Sequence, residues 1–558
     1  MMDGLSTAVE FLPNSVATLF WQRVLLEGPH SCFVHFENNA LRESDWLEAG
    51  ERVGRLCRWL IRQGAKTGDH VASWLPNSYN WICLDLACQT LGVVHVAIDA
   101  RERPARVQHL VEFCNAHLLV TSELLSELDS HDSASRATND TRVAIASGAD
   151  TVHQEARDWE RAARAVPAGH AAQMLFTSGS VSQPKGVLLS HESLVTNAAA
   201  KLDAAPQCPT DVRLNILPFT HAYARTCELS TWILSGCVLA IADNWIDFVA
   251  KAARLQPSLV NLVPHLARKL AGLLEQDPRA LGQNLRLLQV GGAPLTPELW
   301  YRLDSLGLPP VQGYGLTEAG PVVCSNRVGQ QRPGTIGPPV RGVEIRVDAE
   351  NILCVRGPNI MLGYWNAANQ TATAIRDGWL VTGDLAEIDS DGYVRIVGRV
   401  SNQIVLTTGY KVNPEELEQK LLHDERLEQV LIVGEGRAEL GVLVQLSRVG
   451  ERLLDAELPA HERPSPGRSA MPGTQPGSRV LRSSDRDVQR ERLGEEILSR
   501  MSLLLSELPQ HMHPRRIAFF PVPPSAEQGT TTLKGTLCRQ VALARYRECI
   551  DNLFASVR

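Results

Sequence analysis

The chain has 558 residues, 44% of them hydrophobic, with 55 basic against 62 acidic side chains and a net charge of −7. Such a length exceeds one ordinary core and predicts at least two domains, while the charge balance offers no basic face for nucleic acid. Twelve cysteines occur without one Cys-x-x-Cys pair, which argues against zinc sites and a disulfide framework and for reduced thiols in the cytoplasm. Residues 1–15 carry no basic segment followed by an apolar core, and no apolar run approaches the ~18 residues of a bilayer span, so no transmembrane segment is expected.

Apolar residues recur at helical spacing over 45–63, and 68–75 reads as a turn entering a buried strand. A helix near 81–90, a strand at 93–98, a helix near 103–114 and a strand at 118–121 continue an α/β alternation whose natural form is a parallel sheet. Residues 126–169 are polar with few apolar anchors and read as a variable excursion bearing one or two surface helices. Two strands, 173–176 and 187–189, then flank Thr177-Ser178-Gly179-Ser180-Val181-Ser182-Gln183-Pro184-Lys185-Gly186. Hydroxyls, glycines and one lysine at a strand end predict a loop whose amides and hydroxyls cradle anionic oxygens, with Lys185 as a point charge. It is not a P-loop, because Pro184 stands where the second glycine would be.

Buried strands are expected at 238–242, 259–263, 285–290 and 310–312. Short β-type runs at 343–347, 352–355 and 393–397, broken by Gly, Pro, Asn and Asp, predict an appended β subdomain over 334–399. From about 406 the pattern returns to mixed α/β, interrupted by 458–492, whose Pro, Gly, Ser and Arg content reads as a disordered insertion. The expected fold is α/β: a large N-terminal domain over 1–398, and a small C-terminal α/β domain over 406–558.

Several further segments stand in a fixed order. They are Leu217-Pro218-Phe219-Thr220-His221, Gly291-Gly292-Ala293-Pro294, Gly313-Tyr314-Gly315-Leu316-Thr317-Glu318, Asp377 through Leu385, Gly398-Arg399, and Gly409-Tyr410-Lys411-Val412-Asn413-Pro414-Glu415-Glu416-Leu417-Glu418. With the hydroxyl-rich loop, this series resembles the acyl-adenylate-forming (AMP-dependent synthetase/ligase) superfamily, most nearly its long-chain fatty acyl-CoA synthetases. The resemblance covers roughly residues 45–545. It implies a phosphate grip at Thr177, Ser178, Gly179, Ser180 and Lys185, and an adenine-binding turn at Gly291, Gly292 and Ala293. It further implies that Tyr314, between Gly313 and Gly315, stacks on adenine, that Thr317 binds the α-phosphate and that Glu318 holds magnesium. His221 would line the acyl pocket, Asp384 would accept the ribose hydroxyls, Arg399 would contact the nucleotide, and Gly409 would border the path of the thiol. Val355 through Trp365 matches the same pattern and carries mainly a scaffolding role. Residues 399–405 would form a hinge, with the small domain mobile and the site between the domains.

Two departures bear on activity. Ser180-Val181-Ser182 replaces the usual Thr-Thr-Gly, removing a hydroxyl and a permissive backbone position. The C-terminal catalytic lysine fits residues 530–539 in two registers. One places Lys534 at the catalytic position and leaves Arg539 two residues late; the other matches Gly535 and Arg539 and places Thr536 there. Lys534 is preferred because the lysine carries the chemistry, stabilising charge that accumulates in the transition state.

The implied activity is ATP- and magnesium-dependent conversion of a carboxylic acid, expected to be a fatty acid, to acyl-AMP, followed by transfer to coenzyme A. An acyl-AMP ligase that loads an acyl carrier protein or other nucleophile is one alternative. A nucleotide- or acyl-adenylate-binding protein impaired in adenylation is another.

Overall fold

The computed structural model describes residues 13–37, 40–128, 148–177, 184–456, 483–525, 527–531 and 537–555. Helix starts follow local capping chemistry. Ser15, Asp45 and Ser78 each turn a side-chain oxygen onto a first-turn amide of Val16–Glu27, Trp46–Arg62 and Tyr79–Thr90, meeting donors that the helix itself leaves unpaired. Strands His70–Leu75 and Val94–Asp99 are buried along nearly their whole length, as parallel strands covered on both faces must be.

Contacts divide the chain into two units: 1–382 with 387–395, and 383–386 with 396–558. The first contains two large sheets. One runs in the order Gly363–Tyr364, Lys185–Ser190, Ala171–Thr177, Val94–Asp99, His70–Leu75, Leu118–Val120. Its last four strands are parallel, and Lys185–Ser190 returns antiparallel along Ala171–Thr177. The other has eight strands, with a parallel centre from Val311–Gly315 through Leu287–Val290, Leu259–Leu262, Val212–Asn215 and Val238–Ile241 to Ser31–Glu37. Antiparallel strands Val322–Ser325 and Ala40–Asp45 close its edges. The β-type runs near 343–397 form a five-stranded sheet of Glu344–Val347, Ile352–Arg356, Trp379–Ile388, Ile375–Arg376 and Val394–Arg399.

The second unit packs helices on a three-stranded sheet of Leu427–Val433, Gly441–Leu446 and Arg516–Phe519. One face buries Val430, Ile432, Val442 and Val444 with Leu417, Ile497 and Met501; the other buries Leu431 and Leu443 with Phe520 and Tyr546. The period-two alternation of 430–433 supplies both cores.

One sequence expectation needs correction. Ser483–Leu504 is a helix, so the stretch read as disordered to residue 492 is helical over its last ten residues; Leu493, Ile497 and Met501, four residues apart, lay a buried stripe into the small unit's core and outweigh the polar composition upstream. Within the 126–169 excursion, expected to bear one or two surface helices, Gly148–Ala165 is a helix whose inner face packs: Ala156 and Ala163 are enclosed and Trp159 stacks on Trp21 of Val16–Glu27. That N-terminal helix and the hairpin Ser31–Glu37/Ala40–Asp45 lie ahead of the first element read from the sequence.

Among the described residues, no helix is long and apolar enough to cross a membrane.

Candidate active site

In the first unit, the antiparallel pair Ala171–Thr177/Lys185–Ser190 brings Thr177 opposite Lys185, so the two ends of the hydroxyl-rich loop are fixed side by side. Ser178, Gly179 and Ser180 fall outside the described residues. Lys185 is exposed, and its Nζ lies 5.2 Å from the centre of the Tyr364 ring, a cation–π distance. Tyr364 reaches this position because Gly363–Tyr364 adds to the edge of the same sheet, pairing with Leu188 and Val187.

The hydroxyl of Tyr364 donates to Glu318 Oε1 at 2.8 Å. Glu318 is half-buried in the single turn Thr317–Ala319 that follows Val311–Gly315. The loop ahead of Tyr364 clamps that turn: the Met361 amide donates to the Glu318 carbonyl at 2.9 Å, and Asn359 Nδ2 donates to the Ala319 carbonyl at 2.7 Å. Thr317 opens the turn and is likewise half-buried. Gly315 admits no substitute, since a Cβ there would stand 1.8 Å from the Pro321 carbonyl oxygen. Gly313 and Tyr314 pair with Ser325 and Cys324, which places Tyr314 on the strand immediately before the turn.

Gly291 ends Leu287–Val290 through a bond from its amide to the Leu262 carbonyl, and Gly292 adopts φ +77°, a conformation open to glycine. A Cβ on Gly291 would lie 3.0 Å from Tyr223 Cζ, so the missing side chain is what lets the tyrosine ring settle against the turn. Ala293 follows, half-buried. His221, two residues before Tyr223, is the half-buried N-terminal cap of the short helix Ala222–Ala224. Upstream, Asn77 fixes the approach to it, donating to the Leu217 carbonyl at 2.7 Å and accepting from the Phe219 amide at 2.9 Å.

After Ala222–Ala224 the chain winds as a π-helix over Arg225–Ser230. Arg225 is fully buried and donates to Asp85 Oδ2 at 2.7 Å, while His95 Nδ1 lies 2.8 Å from Asp85 Oδ1. Burial alone would raise the Asp85 carboxyl; Arg225 and His95 outweigh it and hold the group below the usual carboxylate range. Nearby, Arg213 donates to Glu228 Oε2 at 2.7 Å, yet burial dominates and pushes the Glu228 carboxyl up to about 7.

In the second unit, Asp384 is buried and accepts a 2.6 Å bond from Arg399 Nε, whose own side chain is largely exposed. The carboxylate assigned to ribose and the arginine assigned to the nucleotide are therefore neighbours. Gly409 sits at φ +84° in an exposed turn closed by bonds between Leu406 and Gly409 and between Leu406 and Tyr410, and no atom would oppose a Cβ there. The Tyr410 ring stacks on His511 with centres 4.0 Å apart. Arg539 donates to Glu418 Oε1 at 2.6 Å, and the Thr531–Leu537 bridge lies just before it. Lys534 and Thr536 fall outside the described residues.

A sequence profile of AMP-binding enzymes matches residues 29–365, and a profile of the AMP-binding enzyme C-terminal domain matches 401–463. The chain belongs to the AMP-binding enzyme family. Similar proteins include a feruloyl-CoA synthase of an Amycolatopsis species, 28% identical over 449 residues that cover 77% of this chain and 88% of the relative. A long-chain-fatty-acid–CoA ligase of Mycobacterium bovis is 26% identical over 475 residues, 72% of this chain and 76% of the relative. Among solved structures, ATP-bound MatB from Rhodopseudomonas palustris superposes with a TM-score of 0.70 at 20% identity, covering 96% of this chain and 99% of the other. The acyl-adenylate-forming superfamily resemblance read from the motifs is thus shown, and the neighbours share the α/β fold with a large N-terminal and a small C-terminal domain.

For this AMP-binding enzyme the metal implied by the resemblance is magnesium. Among the described residues no cluster of three or more His, Cys, Asp or Glu side chains could cage a metal, and only Tyr364 bonds the Glu318 carboxylate. A half-buried carboxylate with an oxygen left to accept fits an ion that draws most of its ligands from water and substrate phosphates.

A contact at the candidate site missed in the sequence is that of Tyr364. It stands 46 positions from Glu318, inside a segment read as scaffold. The Gly-Tyr pair closing a motif that follows the glutamate turn was its one trace.

Proposed function

We propose that this chain is an AMP-forming acid–thiol ligase that activates a carboxylic acid, a fatty acid in the first instance, and transfers the acyl group to coenzyme A. The observation that carries the reading is the grouping of Lys185 and Glu318, each in contact with Tyr364, at the mouth of the 177–185 loop: a cation and a carboxylate with accepting capacity, beside a strand end. It is the arrangement a polyphosphate with its divalent ion requires, and relatives named as acid–CoA ligases for aromatic and aliphatic acids support it.

In the first step a carboxylate oxygen attacks the α-phosphorus of ATP, the bond to the bridging oxygen breaks, and pyrophosphate leaves with its electron pair. Lys185 and the loop hydroxyls would hold the phosphates, Thr177 and Thr317 would orient them, and Lys534 would offset charge on the reacting oxygens. A magnesium ion held by Glu318 and the phosphates would supply neutralising charge on the departing pyrophosphate. Asp384 would accept the ribose hydroxyls and Tyr314 would stack on adenine. In the second step the thiol of coenzyme A gives its proton to water, its sulfur attacks the acyl carbon, the bond from that carbon to the phosphate oxygen breaks, and AMP leaves with the electron pair. His221 and Tyr223, against Gly291, would shape the acid's pocket.

The test is pyrophosphate release by the full-length protein across saturated fatty acids of graded length and hydroxycinnamic acids, with coenzyme A or an acyl carrier protein as acceptor. Release that depends on a fatty acid, with thioester formed on coenzyme A, is expected. Release with hydroxycinnamates alone would overturn the fatty-acid assignment, and thioester on the carrier protein alone would overturn the acceptor.

A further inference from the structure

Tyr364 joins the two halves of the polyphosphate site through two different chemical faculties. Its hydroxyl donates to Glu318 Oε1 at 2.8 Å, and its ring face receives Lys185 Nζ at 5.2 Å from the centroid. The residue is held on three sides. Its backbone pairs with Val187 at the sheet edge, its amide donates to Thr371 Oγ1 at 2.9 Å, and the neighbouring Trp365 amide donates to the Gly186 carbonyl at 2.8 Å. The ring is thus anchored to the strand that carries Lys185. The carboxylate it meets belongs to a turn that follows the other sheet.

The Glu318 side chain turns about three bonds, and a single well-directed donor restricts that freedom while leaving one oxygen to accept elsewhere. The ring face, by drawing the ammonium toward it, keeps Lys185 extended beside the loop mouth. We infer that Tyr364 is a positioning residue for nucleoside triphosphate with its divalent cation: the hydroxyl presets Glu318 for the metal, and the ring presets Lys185 for the phosphates. This rests on the reading of Glu318 as the metal ligand given above.

The two faculties separate by substitution. Tyr364→Phe removes only the hydroxyl and keeps the ring, whereas Tyr364→Leu removes both. The measurement is calorimetric ATP binding by the full-length protein in EDTA and across a magnesium series, with the magnesium dependence of pyrophosphate release as a second readout. Tyr364→Phe is expected to bind ATP in EDTA as the unaltered protein does, and to need about tenfold more magnesium for half-maximal enhancement, the scale of a lost hydrogen bond to a charged group. Tyr364→Leu is expected also to weaken ATP binding in EDTA, the signature of a displaced Lys185. Tyr364→Leu, which lacks the hydroxyl as well, is expected to show the same magnesium shift and serves as the working variant if Tyr364→Phe does not fold.

An unchanged magnesium midpoint in Tyr364→Phe, with Glu318→Gln shifting it, would overturn the role of Tyr364 alone. An unchanged midpoint in Glu318→Gln would overturn the metal-ligand reading on which it rests. A uniform loss of ATP affinity in Tyr364→Phe, equal with and without magnesium, would mark a merely structural residue and would also overturn the inference.

Discussion

Two groups of charged side chains in the large unit face opposite physical demands. Asp85, Arg225 and His95, with Arg213 and Glu228, are enclosed, and their polar ends meet in pairs at 2.7–2.8 Å. Glu318 and Lys185 are partly or fully open, and among the described residues their charged ends meet one hydroxyl and one ring face. Removing a charge from water costs several kcal/mol unless close partners offset it, so the enclosed set is bound up in the protein and has a structural part. The open set keeps its hydration and its capacity for new ligands. Charge alone does not mark a site; charge with unused bonding capacity does.

The comparison predicts separable consequences. Asp85→Ala should destabilise the protein by about 3–5 kcal/mol, because it leaves Arg225 buried without a carboxylate; a denaturant midpoint equal to that of the unaltered protein would show the network to be incidental. Asp384→Ala, at a buried carboxylate whose partner Arg399 reaches outward, should weaken nucleotide binding by about 1.5–3 kcal/mol through loss of a charged acceptor. Calorimetry that returns the same ATP affinity would remove it from the ribose role.

A pH-dependent effect belongs to Glu228. Burial raises its folded carboxyl from 4.5 to about 7, so between those values the folded state holds a proton the unfolded state has lost. Its contribution to stability is full below about pH 4.5 and is lost as pH rises through 7. Unfolding curves from pH 4.5 to 8 should show the unaltered protein losing stability relative to Glu228→Gln across that window; parallel curves would place the Glu228 carboxyl nearer its ordinary value.

Much of the scaffold was legible because its causes are local. The runs read at 68–75, 93–98 and 259–263 coincide with the buried parallel strands His70–Leu75, Val94–Asp99 and Leu259–Leu262, whereas the close backbone approach at Gly315, where a Cβ would stand 1.8 Å from the Pro321 carbonyl oxygen, was not read from the sequence. The site was legible as a series of motifs but not as an arrangement. Thr177 and Lys185 were expected together, whereas Tyr364 meets Glu318 only because a two-residue strand joins a sheet edge far along the chain. The Arg225–Asp85 pair, 140 positions apart, leaves no periodic trace at all. Ser483–Leu504 was misread over its first ten residues for the converse reason: a charged local composition hid a stripe whose apolar members begin only at Leu493.

The most direct test of the central claim, that the open charges form an adenylating site, is mass-spectrometric detection of acyl-AMP without coenzyme A, in the unaltered protein and in Glu318→Ala. The account predicts acyl-AMP and pyrophosphate in equal amounts from the unaltered protein and neither from Glu318→Ala, with thermal unfolding unchanged between the two. Equal acyl-AMP from both proteins would contradict it.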